Sequence, residues 1–370
     1  MKEKNAKRLE ILSRVIKMYR IGIISVAIML VVLCSSKVNA QDLHFSQFQM
    51  TPLQMDASMA GKQGDYRIIL NYKDQWRSVA NPYKTFGFSL ETAFNKKHDK
   101  DHFFGMGLSA FRDQAGDIGM GVLELELSGA YHIKVAPKQY LSAGLQAGFG
   151  QKSLDESALR YGNQYDGSGH NSSFASNEIL TNPIYYYPEF SLGVSYSSGI
   201  GASSLKVTSN NGFDDNKINA GIAMHHIPSF KNSYLGDAEE KSSFRYVGHL
   251  WTSFGIGNTK LAIQPSGFFA YQLGATEFTA GSTFRYNIQE QSKYTGLVQG
   301  MAASVGAHYR TGDAFILSGL LEMGSFAVGA SYDFNTSALS KVSSGRGGFE
   351  ISLRYLNPNP FGGQARASFL

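Results

Sequence analysis

The side chains able to do chemistry in this 370-residue chain are numerous but badly spaced for it. Nine histidines are present, yet no His-Glu-x-x-His or His-x-His spacing occurs, so no element presents a ready pair of metal ligands. His225 and His226 are adjacent, and neighbours in a strand aim at opposite faces, so they are not expected to share a metal. Serines are plentiful, but no Gly-x-Ser-x-Gly elbow sets one up as a nucleophile. The acidic clusters Asp113-Gln-Ala-Gly-Asp117 and Asp214-Asp215-Asn216 lack the spacing of a calcium loop and read as solvated turns. No enzymatic activity, cofactor or metal is expected. What remains is a charged set on the polar faces of alternating segments: the acids Glu91, Glu124, Glu126, Glu322 and Glu350, and the bases Arg67, Lys73, Arg285, Arg310 and Arg354. An ion-selective pore lines up one sign. Five acids against five bases read instead as pairing across an interior or to a plug, although any wide barrel also needs polar residues inside.

The elements that must position this set are strands. Thr85–Phe94 puts Phe86, Phe88, Leu90 and Phe94 on one face and Gly87, Ser89, Glu91 and Ala93 on the other. Val122–Ile133 sets Leu123, Leu125, Leu127, Tyr131 and Ile133 against Glu124, Glu126, Ser128, Ala130 and His132. Phe349–Tyr355 repeats the pattern. Period-two alternation gives each strand one oily and one wet face. A soluble sandwich alternates too. Here, however, Phe, Tyr and Leu run to the strand ends while Gly, Ser and Ala crowd the other face, which favours a transmembrane β-barrel. Fourteen antiparallel strands are predicted, near 65–74, 84–94, 102–112, 121–133, 140–150, 188–197, 217–226, 243–256, 260–271, 276–288, 297–310, 313–323, 325–334 and 348–356. The count is even, as in bacterial single-chain barrels. With a periplasmic start, the connections Gln75–Tyr83, Asp113–Met120, Gln151–Tyr187, Ile227–Ser242 and Asn335–Gly347 lie outside. Ser198–Asn216 is then long for a periplasmic turn.

The N-terminus reads as a leader. Residues 1–40 hold eight bases and two acids, a net charge of +6, followed by the apolar run Ile21–Leu33 and by Val38-Asn39-Ala40. That order is a secretory signal peptide cut after Ala40, with the apolar run too short for a comfortable span. Since the whole chain carries +5, residues 41–370 carry −1, so its basicity implies no nucleic-acid partner. The single cysteine, Cys34, lies in the leader and does not sit at a lipidation site, leaving the mature chain without disulfides. The expected organisation is a signal peptide over 1–40, a periplasmic N-terminal segment or plug over 41–64, an outer-membrane barrel over 65–356 and a tail over 357–370.

Several blocks carry a family resemblance. HFSQFQMTPLQMDASMAG (44–61), DYRIILNYKDQW (65–76) and NPYKTFGFSLE (81–91) open it, and DQAGDIGMG, SGAYHIKV, LSAGLQAGFGQKSLDE, QYDG, AGIAMHHI, FRYVGHLW, TGDAFILSGL, SYDFNTSAL and SSGRGGFEISLRYLNP follow in order. Together, over about residues 41–358, the chain resembles the PorP/SprF family of type IX secretion system outer-membrane proteins. One departure is Asp56-Ala57-Ser58-Met59-Ala60, where the family commonly reads Asn-Pro-Ala; without that Pro the backbone is less constrained. The resemblance implies an outer-membrane barrel that assists export or surface attachment of cargo proteins or gliding adhesins. It implies outer-membrane lipid, secreted cargo, and periplasmic ring and peptidoglycan-binding components as partners. A general transporter or porin for small or hydrophobic solutes, and a structural anchor for a periplasmic ring, are the alternatives.

Two stretches are candidates for contact with a partner. Gln41–Gly61 mixes aromatic and amide side chains, suited to a polar lumen or a docking partner, and contributes Phe45 and Gln47. The predicted outer loop Asn335–Gly347 contributes Arg346, whose planar fork suits a carboxylate or a carbonyl.

Overall fold

A computed structural model describes residues 42, 44–63, 66–79, 81–94, 101–116, 118–176, 182–199, 217–227, 234, 242–256, 259–289 and 300–357. Fourteen strands form one closed barrel: β1 (Tyr66–Gln75), β2 (Tyr83–Phe94), β3 (His102–Ala115), β4 (Met120–Ala136), β5 (Gln139–Ser153), β6 (Ile184–Ser198), β7 (Lys217–His225), β8 (Arg245–Gly255), β9 (Leu261–Gln272), β10 (Ala275–Gln289), β11 (Met301–Arg310), β12 (Ala314–Met323), β13 (Phe326–Asn335) and β14 (Arg346–Asn357). Each pairs antiparallel with its sequence neighbours. The seam closes between β1 and β14, where Tyr66 faces Asn357 and Gln75 faces Gly348. Closure leaves no sheet edge, the condition for a β structure to cross a membrane. Among the described residues no helix is long and apolar enough to do so.

The alternation works as the sequence requires. Leu127 is 62% exposed and Val305 68%, and Phe86, Leu145 and Ile222 likewise face outward, while Glu91, Ser109, Glu126 and Ser128 on the intervening positions are buried inside. An apolar wall of that extent is stable against lipid, not water. Outward aromatic pairs mark both rims. Phe104–Tyr131 and Phe326–Tyr355 lie toward the end where β1 begins, here called the near end. Trp76–Tyr83 and Tyr332–Phe334 lie at the opposite, far end.

Connections differ in kind. Pro137–Lys138, Leu273–Gly274 and Gly324–Ser325 are two-residue hairpin turns. Leu273 and Gly274 both take positive φ (48° and 83°), as a turn matched to strand twist requires. The pairing of β6 with β7 runs only from Leu192↔Met224 to Ser198↔Ile218. Pro188, which has no N–H to offer, lies in the part of β6 beyond that ladder. Most of the long 198–216 connection, the Asp214–Asn216 cluster and residues 1–40 lie outside the described residues.

Candidate functional site

The bore is not empty: the chain just ahead of β1 fills it. Asp42 stands at the far end, where its N–H donates to the Gln272 side-chain carbonyl (3.3 Å). Its carboxylate pairs with His226 and lies 4.0 Å from Arg245. At the other extreme the Gly61 N–H donates to Glu91 (3.2 Å), and Gly61 lies against Thr92 and Gly105, near-end residues of β2 and β3. Residues 42–62 thus descend the full height of the barrel.

Local sequence sets the path of this segment. Phe48–Met50 makes one tight turn, and α1 (Pro52–Met55) starts on Pro52, whose fixed φ and missing N–H suit a first helical position. Asp56 then caps the turn Ala57–Met59 by accepting the Ser58 N–H at 2.7 Å. Phe48 and Met55 pack on Ala223, Val247, Phe268 and Ala270, with the Phe48 and Phe268 rings 5.7 Å apart. Leu53 packs with Ala60 and with Ala130 of β4.

Polar anchors join the segment to strands all around the bore. The Ser46 and Gln47 N–H groups donate to the two oxygens of Glu350 (2.6 and 3.0 Å), and Glu350 also holds Lys73 at 3.1 Å. Ser46 Oγ donates to Asp333 (2.6 Å) and accepts from Arg310 (2.5 Å), while Lys73 donates to the His44 carbonyl (2.9 Å). Three lumen histidines serve the same end. His132 Nε2 donates to the Ala60 carbonyl (2.9 Å) and its Nδ1 accepts from Ser142 (2.7 Å). His225 Nε2 donates to the Met55 carbonyl (3.2 Å) and Nδ1 accepts from Ser191 (2.9 Å). His249 Nε2 lies 3.0 Å from the fully buried Asp56 carboxylate. Lys62 donates to Ser195 Oγ (2.9 Å), which meets the Ser58 hydroxyl.

Small residues let the wall come this close. Gly105, Ala130, Gly144, Gly193 and Ala223 are paired in one inward-facing row across β3 to β7. A Cβ at Gly105 would lie 1.9 Å from the Ala60 carbonyl oxygen, one at Gly144 2.3 Å from the Ser58 nitrogen, and one at Gly193 1.9 Å from an Asp56 oxygen. At Gly105 and Gly144 backbone meets backbone, and at Gly193 backbone meets the Asp56 carboxylate, approaches that only glycine permits.

The ten predicted charges all face this interior. Arg67 and Glu91 form a bidentate pair (2.8 and 2.6 Å), and Glu322 takes both Arg285 (2.6 Å) and Arg354 (2.8 Å). Arg310 finds partners outside the predicted set: Asp313 (2.8 Å), Asp333 (3.1 Å) and Glu277 (3.4 Å). Glu124 and Glu126 accept hydrogen bonds from neutral groups, Tyr187 (3.0 Å) for the first, Gln146 (2.8 Å) and Ser109 (3.1 Å) for the second.

Three expectations change. Phe45 is only 5% exposed and packs on Phe111, and the Gln47 backbone is tied to Glu350, so both face the lumen wall and neither is presented to an outside partner. Arg346 is not in a loop: Ser344 and Gly345, both at positive φ, turn the chain after α2 (Ser340–Ser343), and Arg346 opens β14, exposed and facing Phe334. His226 does not point away from His225's side of the wall. It follows the end of β7 at φ 63°, and its ring reaches lumen-facing Glu189 (2.8 Å) and Asp42. Among the described residues no group of three potential ligands forms a metal site. Sequence reasoning missed Asp42, Asp56, Glu189, His132, His225 and His249 as anchors. The alternation around Glu189 and His132 marked their face, but nothing marked their partners.

A closed fourteen-strand barrel with an oily wall and a polar interior defines an outer-membrane β-barrel protein. The family described as "Type IX secretion system membrane protein PorP/SprF" matches residues 37–355, and the chain belongs to it. Comparison with curated proteins gives no match. Among solved structures, the toluene transporter TbuX of Ralstonia pickettii is 12% identical, with a TM-score of 0.47 over 82% of this chain and 93% of its own. The monoaromatic hydrocarbon channel CymD is 12% identical with a TM-score of 0.42, covering 82% and 89%. A FadL homologue of Pseudomonas aeruginosa is 12% identical with a TM-score of 0.40, covering 78% and 89%.

Proposed function

We propose that this barrel serves type IX secretion as a membrane-embedded docking and attachment partner for exported cargo or gliding adhesins, and not as an open conduit for them. The observation that carries the reading is the filled bore. Residues 42–62 are pinned to β2, β4, β6 to β9, β11, β13 and β14 by hydrogen bonds and ion pairs, many of them wholly buried. Breaking one partner of a buried charge pair costs several kcal/mol, typically about 3–5, so such a set resists clearance. In this reading the near end faces the periplasm, where ring and peptidoglycan-binding components engage it. The far rim faces outward and presents Arg346 to a carboxylate or carbonyl of the cargo.

The test is co-purification from outer membranes in mild detergent, combined with conductance of the wild-type barrel in planar bilayers. Type IX components and a cargo protein should travel with a barrel of low conductance. Arg346→Ala should lower surface display of that cargo at unchanged barrel levels. Large, stable conductance with no secretion component bound would replace this reading with the solute-channel one. Ring lipoproteins without any cargo would favour the structural anchor.

A further inference from the structure

The seating of the inner segment has a counterpart on the outer wall. Where the row Gly105–Ala130–Gly144–Gly193–Ala223 lies against the inner segment, the lipid-facing side carries a concavity of about 1340 Å³. It follows two ladder rows that flank the small one. One runs Phe104↔Tyr131↔Ala143 and onward to Phe269; the other includes Met106↔Gly129 and ends at Tyr246. Phe104 is the third residue of β3 at the near end, and Tyr246 is the second residue of β8 at the far end. The trough therefore climbs obliquely across the membrane-facing wall from one rim toward the other. Its floor is small: Ala143 points outward, and a Cβ added at Gly129 would meet nothing within 4 Å.

We propose that this trough binds the acyl chains of a bilayer lipid as a slowly exchanging component of the folded barrel. The lining names the occupant. It contains no charged side chain, and the only side-chain polar groups are the hydroxyls of Tyr131 and Tyr246. The trough is also continuous with the exposed apolar band that outer-membrane lipid already covers. Water there would find no partners, and an unfilled trough forfeits contacts along its whole length. A flexible hydrocarbon chain fills an irregular apolar groove with little strain, and each buried methylene adds to its residence.

The experiment is lipid quantification by native mass spectrometry on the full mature protein, extracted in mild detergent and washed extensively. Folding is confirmed by its faster migration on unheated gels. Wild type should retain at least one phospholipid per barrel. Ala143→Trp, and separately the milder Gly129→Leu, should lower retention by roughly tenfold by filling the floor. Leu317→Trp, an outward position on β12 far from the trough, should leave retention unchanged. Loss of lipid from wild type on washing, or equal retention in all four proteins, would overturn the proposal. So would a lipid-free wild-type dimer that Ala143→Trp splits, since the occupant would then be a second copy of the chain.

Discussion

Gly144→Ala isolates the contact between the inner segment and the wall. The added Cβ would lie 2.3 Å from the Ser58 nitrogen, 2.4 Å from the Ala57 carbonyl carbon and 2.6 Å from the Ser58 α-carbon. Ordinary contact is near 3.5–4 Å, so wall and segment must part by more than an ångström. Neither side can yield by changing a rotamer, because all three atoms are main chain. Overpacking of this kind costs about 1–3 kcal/mol, and a main-chain clash belongs toward the upper end. Replacing a strand glycine returns about 0.5–1 kcal/mol of chain entropy. The net is a loss of about 1–2 kcal/mol, a factor of roughly 5–30 in the folded ratio. Gly319→Ala in β12 is the control: its new Cβ approaches only the Ser304 carbonyl oxygen, at 4.0 Å, so it should be neutral or slightly stabilising. Urea titration of micelle-refolded barrels, followed by the fluorescence of Trp76 and Trp251, compares the two; the chain has no other tryptophan. Equal midpoints for the two variants would refute the seating of residues 57–58 on this wall.

Other expectations follow from the same geometry. Glu350→Gln leaves the buried Lys73 ammonium unpaired and weakens two backbone anchors, so it should cost about 3–5 kcal/mol, with Lys73→Met in the same chain recovering part. Leu125→Arg, which sets a charge against lipid, should cost about 2–4 kcal/mol in refolding titrations, whereas Ser128→Ala removes a buried hydroxyl that bonds nothing and should cost nothing measurable. A cysteine at the exposed far-end position Lys341 should label with an impermeant maleimide on intact cells, and one at near-end Lys138 only after lysis; the reverse result would invert the assigned orientation. Intact mass should place the mature start at Gln41; retention of Met1 would exclude the cleaved leader.

The barrel was legible because alternation is a local signal. The pattern at Thr85–Phe94 located β2 within a residue or two, and fourteen such runs fixed both count and closure. The interior was legible only by face. Parity marked Arg67 and Glu91 as inward, and they lie in β1 and β2, which pair directly. Two of Arg310's partners were not legible, because Glu277 and Asp333 stand on other strands and are brought to it by tilt and register, whereas Asp313 lies three residues on in the following turn. The role of Gly105, Gly144 and Gly193 was hidden for the same reason. Each reads alone as a generic small lumen residue; only the ladder aligns them under one stretch of chain. Arg346 was misplaced because Ser344-Gly345 turns the chain sooner than a glycine-rich stretch suggests.

The thread from Asp42 to Lys62 also bears on the order of assembly. Ser46 bonds to Glu350 across 304 residues of chain, and that carboxylate belongs to the last strand. A segment packed backbone-to-backbone against the wall cannot easily be drawn through a finished cylinder. The sheet must instead curl around it, with the segment ahead of β1 serving as the mandrel on which the rest is wound. Contacts so distant in sequence are formed late and slowly. The open sheet must therefore be kept from aggregating until the final strand is delivered, and the seam between β1 and β14 is the step that locks the mandrel in.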